Sequence, residues 1–244
     1  MSFTNKYQLT NMKKVAVLSV LFDYPEYFKP VFETKILKDF DVNDYYVIRY
    51  KSDDYGITNE SYYFKFTFYR IREIVKFIEE SILNKYEYFI LLDATDVGYV
   101  GNIHRVEDIM NHYNCNILFG GERNLWPTTD YSHLHQNKTV NSDYKFLNAG
   151  VFCAKTESFL EHIKTILERG LVGLCDQGNW QIEYLLNEDI KLDSENKLVL
   201  NTYLAKKDVD VKDNVVTFLT ETPIFVHDNG GYNDDTVKLM EYFK

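Results

Sequence analysis

The sequence has little that would mark it for a membrane, a disulfide framework or a nucleic acid. It holds only three cysteines, Cys115, Cys153 and Cys175, in 244 residues. They are odd in number, widely spaced and form no CxxC pair, which argues against a structural zinc site. Two lie in apolar strand-like sequence and read as small core residues, and such sparse use fits a reducing compartment. The first apolar run, Val15 to Phe22, is far too short to cross a bilayer. The opening MSFTNKYQLTNMKK has no apolar h-region. These absences predict a cytoplasmic protein with no transmembrane segment. Basic residues are outnumbered, 27 Lys and Arg against 37 Asp and Glu, for a net charge of -10. That disfavours a nucleic-acid partner, whose phosphate backbone needs a basic face. A small phosphorylated ligand stays open, because a bound metal supplies positive charge locally. Internal repeats, low-complexity tracts and Pro/Gly-rich linkers are missing too, so residues 1–244 are read as a single domain.

What is present is an aromatic-rich core composition, 45% hydrophobic with 20 Tyr and 17 Phe. Apolar strand-like runs alternate with helix-period segments. Val15 to Phe22, Tyr45 to Ile48, Tyr88 to Leu92 and Asn116 to Phe119 read as buried strands. Between Phe64 and Lys85, Ile71, Ile74, Val75, Ile78 and Ile82 fall on one helical face. Val106, Ile109, Met110 and Tyr113 mark a second helix. Phe159, Leu160, Ile163, Ile166 and Leu167 mark a third, stopped near Gly170. Asp176 to Leu186 reads as helical, and Leu198 to Leu200, Val215 to Leu219 and Ile224 to Val226 as short strands. The alternation predicts an α/β fold with right-handed crossovers and a mainly parallel sheet flanked by helices. Ligands of such sheets bind beyond the carboxyl ends of the strands. The polar stretch from Glu122 to Tyr144, with Trp126, His133 and His135, is a long loop of the kind that carries function.

Five motifs carry chemistry. In YEYFILLDATDVGYVGN an apolar strand ends in Asp93 and Asp96. Two close carboxylates repel unless one protonates or a cation sits between them. They converge only if the backbone turns after Leu92, which Gly98 and Gly101 would allow. Hard oxygen ligands suit Mg²⁺ or Mn²⁺ bridging substrate phosphates. In FVHDNGG a strand delivers His227, and imidazole added to two carboxylates suits Mn²⁺; the alternative is a hairpin turn at Asn229-Gly230. LNAGVF, Leu147 to Phe152, is a strand broken at Asn148-Ala149-Gly150, a bulge or a backbone pressed by a ligand. CDQGNW opens a helix, with Asp176 as a favoured N-cap. GGERNLWP places Glu122 and Trp126 just beyond a strand.

In this order the motifs resemble the glycosyltransferase domain of the procollagen lysyl hydroxylase and collagen glycosyltransferase group, a GT-A-type nucleotide-sugar fold. LLDATDV is similar to the family's acidic metal motif, FGGERNLWP to its glutamate-to-Trp-Pro segment and KFLNAGVF to its Leu-Asn-Ser-Gly strand. CDQ is similar to its Asp-Asp-Gln, and VHDNG to its His-Gly-Asn-Gly. The resemblance implies that Asp93, Asp96 and His227 hold Mn²⁺, with Mg²⁺ as the other candidate, and that the ion grips a UDP-sugar. It implies that Lys65 stands near the phosphates, that Asn148 and Gly150 line the sugar pocket and that Asp176 and Gln177 meet sugar or acceptor. Trp126 would wall the acceptor side, and Thr95, Asn229 and Gly230 join the donor-contacting positions. Thr95 stands where the family has an aromatic residue for the uracil, Cys175 where it has a second Asp, and Ala149 where it has Ser. The implied activity is transfer of glucose or galactose to a hydroxyl of a protein or glycan acceptor. Asp176 or Glu122 would be the general base of an inverting reaction. Two alternatives stand beside it. One is a metal-dependent phosphohydrolase acting through Asp93, although such enzymes place their second Asp two residues on, where Thr95 stands here. The other is a non-catalytic nucleotide-sugar-binding protein.

Overall fold

The computed structural model of the chain describes residues 13–40, 44–56, 62–128, 133–134, 138, 140–171, 175–213, 215–230, 235–236, 238–239 and 242. In chain order its elements are β1 (Lys13–Phe22), α1 (Glu33–Asp39), β2 (Tyr45–Tyr50), α2 (Tyr62–Phe77), β3 (Tyr86–Asp93), β4 (Val97–Tyr99), α3 (Val106–Tyr113), β5 (Ile117–Glu122), β6 (Phe146–Lys155), α4 (Thr156–Arg169), α5 (Asp176–Leu186), β7 (Ile190–Asp193), β8 (Val199–Asn201), β9 (Val209–Lys212), β10 (Val215–Phe218) and β11 (Phe225–His227). Six strands form the central sheet in the order β2-β1-β3-β6-β5-β7. The β1–β2, β1–β3 and β5–β7 pairs are parallel, and β6 runs antiparallel between β3 and β5. A second sheet has the order β4-β11-β8, and β9 and β10 form a hairpin. No described helix is long and apolar enough to cross a membrane.

The continuous apolar runs of β1 and β3 follow from burial on both faces. Ala16, Leu18, Phe89, Leu91 and Phe152 face one side, where Ile71, Ile74, Ile78 and Ile82 pack with Phe159, Ile163, Trp180 and Tyr184. Val17, Ile90, Leu92, Val151 and Cys153 face the other, against α1, α3 and the second sheet. The period read between Phe64 and Lys85 becomes α2 plus a closing π turn, Ile78–Ile82, which keeps both isoleucines fully buried. In α4, Phe159, Ile163 and Ile166 are buried, and the helix stops at Gly170, φ +85°.

Strand β6 runs unbroken, which corrects the expected interruption. What breaks is its register with β5: Phe119 faces Phe152, but Gly120 faces Asn148. The displaced amides find side chains instead. Ala149 N donates to Gln177 Oε1 at 2.9 Å, and Gly150 N to Asn148 Oδ1 at 2.9 Å. Backbone donors buried this way must be satisfied by some acceptor. The register shift therefore leaves the Ala149 and Gly150 amides satisfied. The N-cap of α5 is Cys175 rather than Asp176, which is the first helical residue.

Candidate metal and donor site

The parallel strands end at one edge of the sheet, and that edge carries the polar residues. Asp93 closes β3 opposite Val20 of β1, while the bulge of β6 and the end of β5 lie on the same edge. The chain bends at Ala94–Asp96 before β4 begins, upstream of the glycines expected to allow the turn; Gly98 instead pairs with Val226 inside the second sheet. That sheet brings Asp96 to His227. Val97 pairs with His227, and Asp228 N donates to Asp96 O at 2.8 Å. One ligand atom each from Asp93, Asp96 and His227 lies within 4.8 Å of the others. Gly150 makes room for the imidazole, since a Cβ there would stand 2.2 Å from His227 Cε1.

The donor set fits a divalent cation. Asn201 Nδ2 donates to Gly121 O at 2.8 Å, so its Oδ1 faces His227 Nδ1 at 2.8 Å as an acceptor. His227 then carries a proton on Nδ1, and Nε2 faces Asp96 Oδ2, 3.5 Å away, an ion pair when Nε2 is protonated and a ligand position when a metal takes that proton's place. Fixing a ligating imidazole through its other nitrogen is how proteins prepare it for a metal. Asp96 Oδ1 is buried with no hydrogen-bond partner, an arrangement that an ion would relieve. Arg70 NH2 holds Asp93 Oδ1 at 2.7 Å, leaving the other oxygen for a ligand. Withdrawal from solvent raises the pKa of Asp93 above the usual carboxylate value despite Arg70 and His227. Burial works in the same direction on Asp96, but the hydrogen bond and charge of His227 outweigh it and lower the value. Burial pulls His227 down while Asp96 lifts it further, for a net rise. Two carboxylates with opposite shifts and a poised imidazole form a site built around charge.

These three residues line a cavity of about 440 Å³ that also takes in Glu122, Asn124, Trp126, Asn148, Gly150, Gln177, Tyr203, Asn229 and Gly230. Glu122 is its buried hub, 4% exposed. Gln177 Nε2 donates to one oxygen at 3.0 Å and Asn229 Nδ2 to the other at 2.8 Å. Burial pushes its pKa up to about 7 against the pull of His227, Asn148, Gln177 and Asn229. Gln177 Nε2 also donates to the carbonyl of Trp126, which Gln181 Nε2 approaches at 2.8 Å. Trp126 is 55% exposed at the cavity lip. Gly230 has φ +77° and lies against the Tyr203 ring, so a side chain there would be both strained and crowded. Asn229 is occupied by Glu122 and by Tyr203 N rather than by a hairpin turn.

Two expected residues, Thr95 and Asp176, do not line this cavity. Thr95 opens onto a second cavity of about 450 Å³ between the ends of β1, β2 and β3, with Phe22, Tyr24, Tyr50 and Arg70 in its walls and Asp93 shared with the first. Asp176 points to Arg70 NH1, 3.5 Å away. The backbone of Lys65 lies in α2, and its side chain lies outside the described residues, as does His135 of the long loop. Sequence reasoning missed Arg70 and Asn201. Asn201 carried a signal, a polar residue ending the apolar run Leu198 to Leu200; Arg70 sits among charged helix residues and carried none.

The family described as the PLOD GT domain matches residues 67–244. The bifunctional glycosyltransferase WbbM superposes with a TM-score of 0.55 at 11% identity, over 95% of this chain and 49% of that one. A glycosyltransferase involved in glycosylation of the major capsid of PBCV-1 superposes with a TM-score of 0.51 at 13% identity, over 88% of this chain and 93% of that one. At those identities the likeness is one of fold, and the fold is the GT-A-type mixed sheet. Uncharacterized protein R699 of Acanthamoeba polyphaga mimivirus is 27% identical over 132 residues, 51% of this chain and 28% of that protein. The chain therefore aligns with little more than a quarter of that relative's length.

Proposed function

The chain belongs to the PLOD GT domain family, and from that premise we propose that it transfers a hexose, glucose or galactose, from a UDP-sugar to a hydroxyl acceptor with the help of Mn²⁺ or Mg²⁺. The observation that carries this is the convergence of Asp93, Asp96 and His227 within 4.8 Å at the wall of a polar cavity. Asp93, Asp96 and His227 would hold the ion. A divalent cation there supplies Lewis acidity to the diphosphate and offsets the charge that grows on departing UDP. Asn201 holds the His227 tautomer, and Arg70 holds one oxygen of Asp93. Asn148, Gly150 and Gln177 stand where the hexose would lie, and Trp126 offers an exposed ring for the acceptor. Glu122, fixed by two amide donors and poised near neutrality, is favoured over Asp176 as the base, because Asp176 is engaged with Arg70 outside the cavity. The protein or glycan that presents the hydroxyl belongs to the same proposal, as do a cytoplasmic setting and a single domain.

The test is release of UDP from UDP-glucose and from UDP-galactose, each with Mn²⁺, with Mg²⁺ and with EDTA. Metal-dependent release from one sugar is the expected result and names the donor. Inorganic phosphate without UDP would indicate a phosphohydrolase, and UDP binding without turnover a nucleotide-sugar-binding protein.

A further inference from the structure

Arg70 connects two parts of the site that the sequence keeps apart. It rises from α2, its side chain is 11% exposed, and it serves two carboxylates unequally: Asp93 at 2.7 Å and Asp176 at 3.5 Å. Asp93 belongs to the metal cluster. Asp176 opens α5, and the next residue, Gln177, holds Glu122, the β6 bulge and the Trp126 carbonyl. A continuous line of polar contacts thus runs from the Asp93 carboxylate through the first turn of α5 to the backbone carbonyl of Trp126, at the cavity lip.

We propose that Arg70 is the positioning residue through which an ion at Asp93 fixes the wall at Trp126, an inference that rests on the metal reading above. An ion ligated by Asp93 takes up that carboxylate's charge and repels the guanidinium. Arg70 then leans on Asp176, tightening the first turn of α5 and, through Gln177, the segment that carries Trp126. The planar fork of arginine spans two carboxylates; lysine, a compact point charge, serves one at a time. The coupling is reciprocal, so a ligand that orders Trp126 also tightens the ion.

The chain has two tryptophans, Trp126 and Trp180, and Trp180 is buried at 3% exposure. In Trp180→Phe, therefore, Trp126 is the sole reporter. Its emission maximum and its quenching by acrylamide are followed as Mn²⁺ is added, with free Mn²⁺ counted by electron paramagnetic resonance and Mg²⁺ as the diamagnetic control. If Trp180→Phe does not fold, full-length chain carrying 5-fluorotryptophan gives the same readout, with Trp126→Phe assigning the signal. The expected result is a blue shift and reduced quenching on ion binding. Arg70→Lys and Asp176→Asn should bind the ion and lose that shift. A shift that survives in both variants, or its absence in the parent despite bound Mn²⁺, overturns the proposal. Absence of bound Mn²⁺ overturns the metal reading and this proposal with it, and the resonance count tells that failure from the others. A merely structural Arg70 would lower the melting temperature of its variant and leave the shift in place.

Discussion

Among the described residues His162 and His227 each stand near two carboxylates, and the two clusters differ in what they leave unpaired. His162 on α4 has both ring nitrogens occupied, Nδ1 by Glu183 at 3.3 Å and Nε2 by Asp189 at 3.1 Å. Those carboxylates are served again by Arg169, Asn187 and Asn116. The cluster is closed and pins α4 to α5 and to the loop before β7. His227 has one nitrogen held by an amide and the other turned to Asp96, whose second oxygen has no partner and whose neighbours wall a cavity. Both clusters set one imidazole among two carboxylates. One cluster is a finished ion-pair lock; the other keeps donor atoms that could hold a metal ion. What separates structure from chemistry here is the unspent hydrogen-bonding capacity at the cavity wall.

Breaking the open cluster should have the largest effect. Asp96→Ala removes a ligand and should abolish Mn²⁺-dependent UDP binding while the fold survives, read by titration calorimetry beside circular dichroism. Asn201→Ala leaves all three ligands but frees the tautomer of His227, and should weaken Mn²⁺ by about 10–100-fold. Gly150→Ala forces a methyl against His227 and should cost about 1–3 kcal/mol of stability, measured by urea unfolding, together with weaker ion binding. The smallest effect belongs to the closed cluster. The Glu183 hydrogen bond, with help from Asp189, raises the pKa of His162. Its contribution is therefore complete below the unfolded histidine value of about 6.5 and is lost as pH rises through the raised folded value. His162→Gln should cost about 1–2 kcal/mol at acid pH, discounted for the partly exposed Asp189. The melting-temperature gap to the parent should close as pH rises, and Mn²⁺ affinity should not change.

How much of this was legible depended on whether a pattern was local. The abrupt end of a buried strand in Asp93 and Asp96, the polar step at Asn148 and the helix from Asp176 to Leu186 stand in single stretches of sequence, and the structure has each of them. Some elements too short to show a period escaped: α1 buries only Ile36 within its seven residues, and β4, β7 and β9 have three or four residues each. The β4–β11 pairing that carries His227 to Asp96 joins distant segments, and no spacing rule reaches it. The same holds for Asn201, whose role depends on meeting both Gly121 and His227. The strand break at Asn148 to Gly150 became a bulge because Gln177, far along the chain, supplied the acceptor that β5 no longer could. The resemblance sets Asp176 beside the sugar or the acceptor; in the structure it faces Arg70 NH1, a partner that lies far away in sequence.

The most direct test of the central claim is calorimetric titration of UDP into the full chain, in Mn²⁺ and then in EDTA. The open cluster predicts heat of binding with Mn²⁺ and none once the ion is chelated. Equal binding in EDTA, or no binding in either, would contradict it and would make Asp93, Asp96 and His227 a second structural lock like that around His162.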